Sequence, residues 1–332
     1  MKVFITGATG FIGQPLTWAM LHRGWQVTAL VRRTDTTPVR LLRQAGAQIV
    51  EGDVVTSERG LLREAMRGAG LVFHNAGWYE LGLRAKDRPA MRAVNVDGAD
   101  AILGLARQMD IPKIVFTSST TALGDTAGAL VDEHFERSAP ARSYYEETKA
   151  EAHALAVDYQ RRGAPVVIVC PAQVIGPGDQ SPFGSFARLY VRGLLPPMVW
   201  APEAIYNMAH VDDVGEAMVL AAEKGQPGQT YFLSGSTITM REMIDTWKQT
   251  PGGLKPFIWL PHGLAWLTGL VAAPVLRASG QRAFLSREVV EASYVCYRFS
   301  SARAENELGA HFRPAQQAWR DTLEAERAAR RP

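Results

Sequence analysis

The first thirteen residues constrain this chain more than any other stretch. Lys2–Thr6 is a short apolar run ending in Gly7-Ala8-Thr9-Gly10-Phe11-Ile12-Gly13, and a helical pattern over Phe11–Arg23 follows. Strand, glycine turn and helix in that order make a cradle for a dinucleotide. Glycines allow the sharp turn, the close approach of backbone N–H groups to a pyrophosphate, and tight packing of helix on strand. The helix N-terminus adds partial positive charge. The spacing is GxxGxxG, one residue longer than the commoner GxGxxG.

The same alternation continues along the chain. Apolar runs at Gln26–Val31, Ala47–Glu51, Leu71–His74, Lys113–Thr117 and Pro165–Cys170 read as strands, with helical segments such as Arg88–Gln108 and Tyr144–Arg162 between them. Strands apolar throughout belong in a parallel sheet covered on both faces. The expected fold is α/β: a Rossmann-type doubly wound parallel sheet with a smaller, mixed C-terminal substrate-binding region. After Pro171 the rhythm changes, with Gly176, Pro177, Gly178, Pro182, Pro196, Pro197 and Pro202 in quick succession. Helices are expected at Asp212–Lys224, Met240–Lys248, Leu260–Leu276 and Ala302–Leu308, and a strand near Gln229–Leu233. The division read from this is a dinucleotide-binding domain over 1–175, to which segments near 205–235 return. A substrate region follows over 176–320, then a basic tail over 321–332.

At 332 residues, 47% hydrophobic and 21% charged, the chain has ordinary globular composition and a core that needs no staples. Its two cysteines, Cys170 and Cys296, suit a reducing, cytoplasmic setting. Thirty-six basic against thirty-three acidic side chains give +3, too balanced for a nucleic-acid surface. Met1–Gly10 has no signal-peptide h-region, and Arg327–Arg331 reads as a solvated tail. Pro256–Leu276 lacks Asp, Glu, Lys and Arg over 21 residues, but its prolines argue for a buried helix or a lid over an apolar ligand ahead of a membrane-facing segment.

The end of the second strand bears on the cofactor. An acid there would bind a ribose 2′-hydroxyl, whereas arginine accommodates a 2′-phosphate. The sequence is Leu30-Val31-Arg32-Arg33, with no acid before Asp35, which favours NADP(H) over NAD(H). Asp53 is a candidate acceptor for the adenine amino group, or a cap for the next helix.

Tyr145 and Lys149 lie four apart on an expected helix and share a face. A nearby ammonium lowers a phenol's pKa toward the range useful for proton transfer to or from a carbonyl oxygen. Tyr144 is a rival, but four residues on from it is the uncharged Thr148. Upstream, the strand Lys113–Thr117 ends in Ser118-Ser119-Thr120-Thr121, putting hydroxyls where open parallel sheets bind ligands. The seven histidines show no metal-ligand spacing.

These elements together resemble the extended short-chain dehydrogenase/reductases of the NAD-dependent epimerase/dehydratase superfamily. The resemblance runs from Met1 to about Leu308. It rests on the glycine loop, Gly52-Asp53-Val54, Phe73-His74-Asn75-Ala76-Gly77, Asn95-Val96-x-Gly98, Phe116-Thr117-Ser118-Ser119, Tyr145-x-x-x-Lys149 and Pro171-Ala172-x-Val174-x-Gly176-Pro177-Gly178-Asp179. It implies Tyr145 as proton donor or acceptor, with Lys149 as its activator and ribose anchor. Ser119, five residues before Gly124, becomes the substrate-orienting hydroxyl, with Thr120 and Thr121 as fallbacks. The implied cofactor contacts begin with Gly7, Thr9, Gly10, Phe11, Ile12 and Gly13. Arg32, Arg33, Asp53 and Val54 follow, then Asn75, Ala76 and Gly77 along the nicotinamide wall, then Asn95 and Thr117. Tyr145 and Lys149 also count among them, and Pro171 and Val174 lie beside the nicotinamide amide. By the same comparison His74 and His210 are structural, and Asp212 and Asp213 cap a helix. Homodimerisation through two helices beside the sheet is common in this family.

Within it, the chain looks most like the dihydroflavonol-reductase and 3β-hydroxysteroid-dehydrogenase branch, by Arg32-Arg33 and by the Cys170–Asp179 run. Trp78, Tyr79, Phe183, Phe186, Trp200, Tyr206, Trp259 and Trp266 are candidates to line an apolar pocket. A sugar diphosphate would want cations there, and Arg188 and Arg192 are the nearby pair. The expected activity is NADP(H)-dependent reduction of a ketone or aldehyde on a small, largely apolar molecule. Two alternatives stand beside it: a nucleotide-sugar epimerase or dehydratase that returns the hydride internally, and a non-catalytic NADP-sensing regulator.

Overall fold

In the computed structural model, which describes residues 1–251, 258–280 and 283–329, the first six strands lie close to the apolar runs. They are β1 (Lys2–Thr6), β2 (Gln26–Val31), β3 (Gln48–Glu51), β4 (Leu71–His74), β5 (Ile114–Thr117) and β6 (Val166–Pro171). Short strands follow: β7 (Gln173–Ile175), β8 (Met198–Val199), β9 (Ile205–His210), β10 (Thr230–Leu233), β11 (Ser236–Thr239) and β12 (Ile258–Trp259). One seven-stranded sheet has the order β10-β6-β5-β4-β1-β2-β3, every pair parallel. Alternate side chains serve opposite faces. Val3, Ile5, Phe73 and Val167 belong to one core cluster, and Phe4, Val72, Phe116 and Ile168 to the other. That two-sided burial explains strands without polar alternation. The chain is therefore a Rossmann-type α/β protein, and its strand order reverses at β1/β4, where such sheets bind ligands beyond their carboxyl ends.

The first six α-helices are α1 (Gly13–His22), α2 (Thr37–Gln44), α3 (Arg59–Ala65), α4 (Arg88–Arg92), α5 (Gly98–Gln108) and α6 (Tyr144–Arg161). The later ones are α7 (Pro182–Val191), α8 (Val211–Lys224), α9 (Met240–Gln249), α10 (His262–Ala278), α11 (Arg287–Ser293) and α12 (Ala315–Ala328). The helix expected over Arg88–Gln108 is interrupted: a π turn at Ala93–Asp97 joins α4 to α5. Helix α8 packs on α1, and β10 extends the large sheet, so residues 211–233 lie with the first half of the chain.

The smaller region has a mixed sheet, β11-β9-β7, and the two-residue pair β8-β12. Its core gathers Tyr190, Ile244, Trp247, Val290 and Trp319 from four helices. Three expectations need correction here. The tail expected from 321 is helical through Ala328, with Thr322 and Leu323 buried, because α12 packs on α7, α9 and β9. Arg330 and Arg331 lie outside the described residues. The apolar stretch expected as a buried helix or a lid over an apolar ligand is α10, preceded by β12; Pro256 and Phe257 lie outside the described residues. Its buried residues are Ala265, Gly269 and Ala273, while Leu264, Leu267, Leu270, Val271 and Val275 are exposed, which corrects the buried-helix reading. Among the described residues no helix is long and apolar enough to cross a membrane. Finally, α8 is capped by His210, whose Nδ1 accepts from the Asp212 N–H, while Asp213 in its first turn holds Arg313.

Candidate active site

The glycine loop fits a dinucleotide by its shape. A Cβ on Gly13 would sit 1.9 Å from the Gly7 carbonyl oxygen, and one on Gly7, at φ +73°, would meet the Asn75–Ala76 backbone at 2.7 Å. Those two glycines are forced by close approach. Gly10 is exposed, and its Cβ would meet only the Gly7 carbonyl, at 3.3 Å, leaving its other side open. Backbone amides of Phe11 and Ile12 find no hydrogen-bond acceptor among the described residues, and α1 carries no acid in its first turn and no side-chain cap. Orphan donors at an uncapped, positive helix end are what a pyrophosphate requires. Thr9 lies in the same loop, its carbonyl accepting from Gln14 Nε2 at 3.3 Å.

At the adenosine end, Arg32 and Arg33 are both exposed after β2. Arg33 is engaged by Asp35 through two parallel contacts, Nε–Oδ1 3.1 Å and Nη2–Oδ2 2.9 Å. Asp53 does not cap α3, whose N-cap is Glu58. Instead Oδ1 accepts from the N–H of Val55 at 2.7 Å and of Thr56 at 3.3 Å, fixing the turn after β3. Val54 buries its side chain in the core.

Beyond β4 the wall is tied to β1. Thr6 Oγ1 accepts from the Ala76 N–H at 3.1 Å and meets His74 Nδ1 at 2.9 Å; Asn75 Nδ2 donates to the Gly7 carbonyl at 3.4 Å. Burial and the nearby Lys149 cation push His74 down to about 3, so it stays neutral. Asn95, on the π turn, uses its amide on backbone and hydroxyl partners. Its Oδ1 accepts from Trp78 N–H at 2.7 Å, and Nδ2 donates to Trp78 O at 3.1 Å and Thr148 Oγ1 at 3.0 Å. It thus holds Gly77 and Trp78 to α6. Pro171 ends β6, and Val174 is buried on β7.

Tyr145, Lys149 and Ser119 come together at the carboxyl ends of β5 and β6. Ser143 caps α6 through the Glu146 N–H, which puts Tyr145 in the first turn and Lys149 one turn on. Lys149 Nζ donates to the Thr117 carbonyl at 3.1 Å. Ser119 Oγ accepts from Thr121 N–H at 3.2 Å and lies 3.5 Å from the Pro171 carbonyl. One electrostatic expectation fails. Burial pushes the Tyr145 phenol up to about 12, opposed only by a hydrogen bond with Ser119, and Lys149 is itself pushed down by burial to about 8. Desolvation of the phenol outweighs the hydrogen bond that opposes it. Tyr144 points elsewhere, its ring under Arg88 at 5.1 Å.

An apolar cavity opens beside Tyr145, Thr120 and Thr121. Five of the eight expected aromatics line it: Tyr79, Phe183, Phe186, Trp200 and Tyr206. The Tyr79 ring stands edge-on to Tyr145, centroids 4.7 Å apart. The other three lie elsewhere: Trp78 donates to Glu80, Trp259 lies beneath Arg241, and Trp266 beneath Arg287. Sequence reasoning missed Trp247, Met243 and Tyr297 in the wall; only the helical pattern of 240–248 hinted at the first two. It also missed Arg142, which is held by Asp125 at 2.6 Å and by the Tyr294 carbonyl. Arg188 serves the Asp179 carbonyl and Glu326, and Arg192 is exposed and does not line the cavity. No group that could hold a metal occurs among the described residues.

A dinucleotide cradle, a doubly wound sheet and a hydroxyl–tyrosine–lysine cluster at its carboxyl edge define the class of nicotinamide-dependent enzymes on this fold. Residues 3–234 match the NAD dependent epimerase/dehydratase family, and the chain belongs to it. It is 31% identical over 267 residues to 4-hydroxy-2-methyl-3-oxo-4-farnesyl-3,4-dihydroquinoline-1-oxide ketoreductase of Stigmatella aurantiaca, covering 76% of this chain and 74% of that one. It is 28% identical over 323 residues to sterol demethylase protein B of Methylococcus capsulatus, covering 93% of each. Among solved structures it is similar to gox2253, at 28% identity and TM-score 0.81, covering 99% of this chain and 98% of that one. The protein is thus an oxidoreductase of the epimerase/dehydratase superfamily, with a nicotinamide dinucleotide as its cofactor.

Proposed function

We propose that the protein is an NADP(H)-dependent carbonyl reductase acting on a ketone or aldehyde of a largely apolar molecule. The carrying observation is the apolar cavity beside Tyr145, whose lining arginine among the described residues, Arg142, is already engaged by Asp125 and by the Tyr294 carbonyl. One relative supports the reading by name, the ketoreductase of a farnesyl-bearing dihydroquinoline oxide, and the name of sterol demethylase protein B points to an apolar molecule.

A bound nicotinamide supplies the hydride. The chain's own residues do the rest. Ser119 holds the carbonyl oxygen, and the Tyr145 hydroxyl donates a proton to that oxygen as the carbon is reduced. A phenol pushed up to about 12 is protonated throughout the neutral range, which suits reduction. Lys149, buried against the Thr117 carbonyl, gives the site its cation and is the ribose anchor. The Phe11 and Ile12 amides receive the pyrophosphate, and Arg32 with Arg33 takes the 2′-phosphate.

The test is oxidation of NADPH, and separately of NADH, by the purified protein against a panel of apolar ketones and aldehydes. Tyr145→Phe should bind NADPH normally and lose turnover by about two to four orders of magnitude. Unchanged turnover would remove Tyr145 from the chemistry. Cofactor retained through purification, with no net consumption, would instead favour internal hydride return.

A further inference from the structure

We propose that the substrate carries a second, uncharged hydrogen-bond acceptor, an ether, ester or carbonyl oxygen, received by the indole N–H groups of Trp200 and Trp247. This rests on the reductase reading and extends it from the reacting carbon to the body of the molecule. Both tryptophans line the cavity, Trp200 just after β8 and Trp247 on α9, elements distinct from those bearing Ser119, Tyr145 and Lys149. Trp247 is 1% exposed and Trp200 9%, yet neither Nε1 has a hydrogen-bond partner among the described residues. The other unpartnered buried polar atoms there are His74 Nε2, Thr117 Oγ1 and Ser234 Oγ, and none of those residues lines the cavity.

The surroundings do not lack polar pairing in general. Tyr190 donates to the Trp247 carbonyl at 2.6 Å, Tyr206 to the Ser293 carbonyl at 2.6 Å, and the Trp319 indole reaches Met208 Sδ at 3.0 Å. An indole N–H can only donate, and a buried donor left unpaired is a rare and costly feature of native proteins. Trp319 beside Trp247 and Phe186 beside Trp200 make edge-to-face ring contacts, at centroid distances of 4.9 and 5.9 Å. Such contacts are second-order. Phenylalanine, though smaller, would bring no unpaired donor to either position, and the two indoles together point to an acceptor brought by the ligand.

The acceptor is uncharged because, among the described residues, the charged side chains lining the cavity, Arg142 and Glu146, are already paired. Arg142 is held by Asp125, Arg188 by the Asp179 carbonyl and Glu326, and Glu146 by Arg137. A carboxylate or phosphate would enter an apolar wall without a counter-ion.

The experiment uses two ketones differing in one ring atom: 4-cyclohexylbutan-2-one and 4-(oxan-4-yl)butan-2-one, in which a CH2 becomes an ether oxygen. Each is titrated into the NADP+-loaded protein, by calorimetry and by the 1H–15N spectrum of its eight tryptophan indoles. Trp200→Phe and Trp247→Phe assign the two cross-peaks. The oxane should bind about tenfold more tightly than the cyclohexyl compound and move both cross-peaks downfield. Either variant should shrink that preference, whatever it does to the affinity for the cyclohexyl compound. Trp200→Phe alone suffices should Trp247→Phe not fold. Equal or reversed preference, unmoved cross-peaks, or failure of the oxane to bind would overturn the proposal. Binding is read without turnover, so preference without reduction would count against the reductase reading alone. Equal reduction of both ketones, with equal affinity, would count against the acceptor alone.

Discussion

Glu288, on helix α11, accepts a hydrogen bond from the backbone N–H of Tyr144 at 3.1 Å, one residue before Tyr145. Its other oxygen accepts from the Gly82 N–H at 2.6 Å, and Arg277 of α10 donates to the Gly82 carbonyl at 2.6 Å. One carboxylate from the smaller region thus caps the helix carrying Tyr145 and Lys149 and pins the loop carrying Tyr79. A negative charge is favourable at that helix end. Glu288→Ala should lower kcat about tenfold or more with little change in NADPH affinity, and Glu288→Gln should recover part of the loss. Steady-state kinetics with cofactor titration checks this; an unchanged kcat would leave Glu288 a stabilising contact only.

The glycine loop separates folding from cofactor binding. Gly13→Ala drives a Cβ into the Gly7 carbonyl and should cost soluble protein. Gly10→Ala meets that same carbonyl only at 3.3 Å, so it should fold and yet bind NADPH at least about tenfold more weakly. Fluorescence titration alongside a melting curve distinguishes the two. A Gly10→Ala protein with full affinity would contradict the cradle.

Cofactor choice should respond to the exposed Arg33–Asp35 pair. Replacing Arg32 and Arg33 together by alanine should reduce the NADPH-over-NADH ratio of kcat/KM by about tenfold or more. Asp35→Ala, which releases the Arg33 guanidinium, should raise the ratio severalfold. Insensitivity in both variants would assign NADP recognition to other residues.

Activity should fall on the alkaline side. Lys149, pushed down to about 8, keeps its charge at neutral pH and loses it above, while the phenol stays protonated. The kcat/KM for ketone reduction should be level from pH 6 to 7.5 and then drop along a single ionisation near pH 8. Lys149→Arg, which stays charged, should show no such drop in whatever activity it keeps. A level profile to pH 10 in the parent protein would rule out control by Lys149.

Stability should decline on the acid side. Burial pushes His74 down to about 3 and His153 down to about 4, so in the native state both stay neutral below the ordinary histidine value of about 6.5. The stability they confer is complete above that value and is lost as the unfolded chain takes up protons that the native one refuses. Asp179, pushed up to about 6 by burial, acts in the opposite sense between about pH 6 and 4. Two histidines against one aspartate leave a net loss of about 2–3 kcal/mol between pH 7.5 and 5. Urea unfolding at those two values checks it; equal or greater stability at pH 5 would contradict it.

Much of the large sheet is legible because its physics is local. Val166–Pro171 and Leu71–His74 are buried on both faces, so their apolar runs identify them directly. The spacing of Tyr145 and Lys149 survives intact because a capped helix preserves it. What the sequence hides depends on long-range assembly. Glu288 meets Tyr144 across 144 residues, and Trp247 joins the cavity wall only through packing with Tyr190 and Trp319. The direction of the phenol's shift is hidden for a related reason: helical spacing reveals a neighbouring charge but not the depth at which both groups are buried.

The π turn at Ala93–Asp97 amounts to one surplus residue in an otherwise ordinary helical run. Each residue turns a regular helix by about 100°. Deleting one there would straighten the run and swing Asn95 away from Trp78. The chain would be more regular and worse built for its task, because the strand end beside the nicotinamide wall would lose its clasp. In this protein, an irregularity in the helix is what keeps the loop beside it in order.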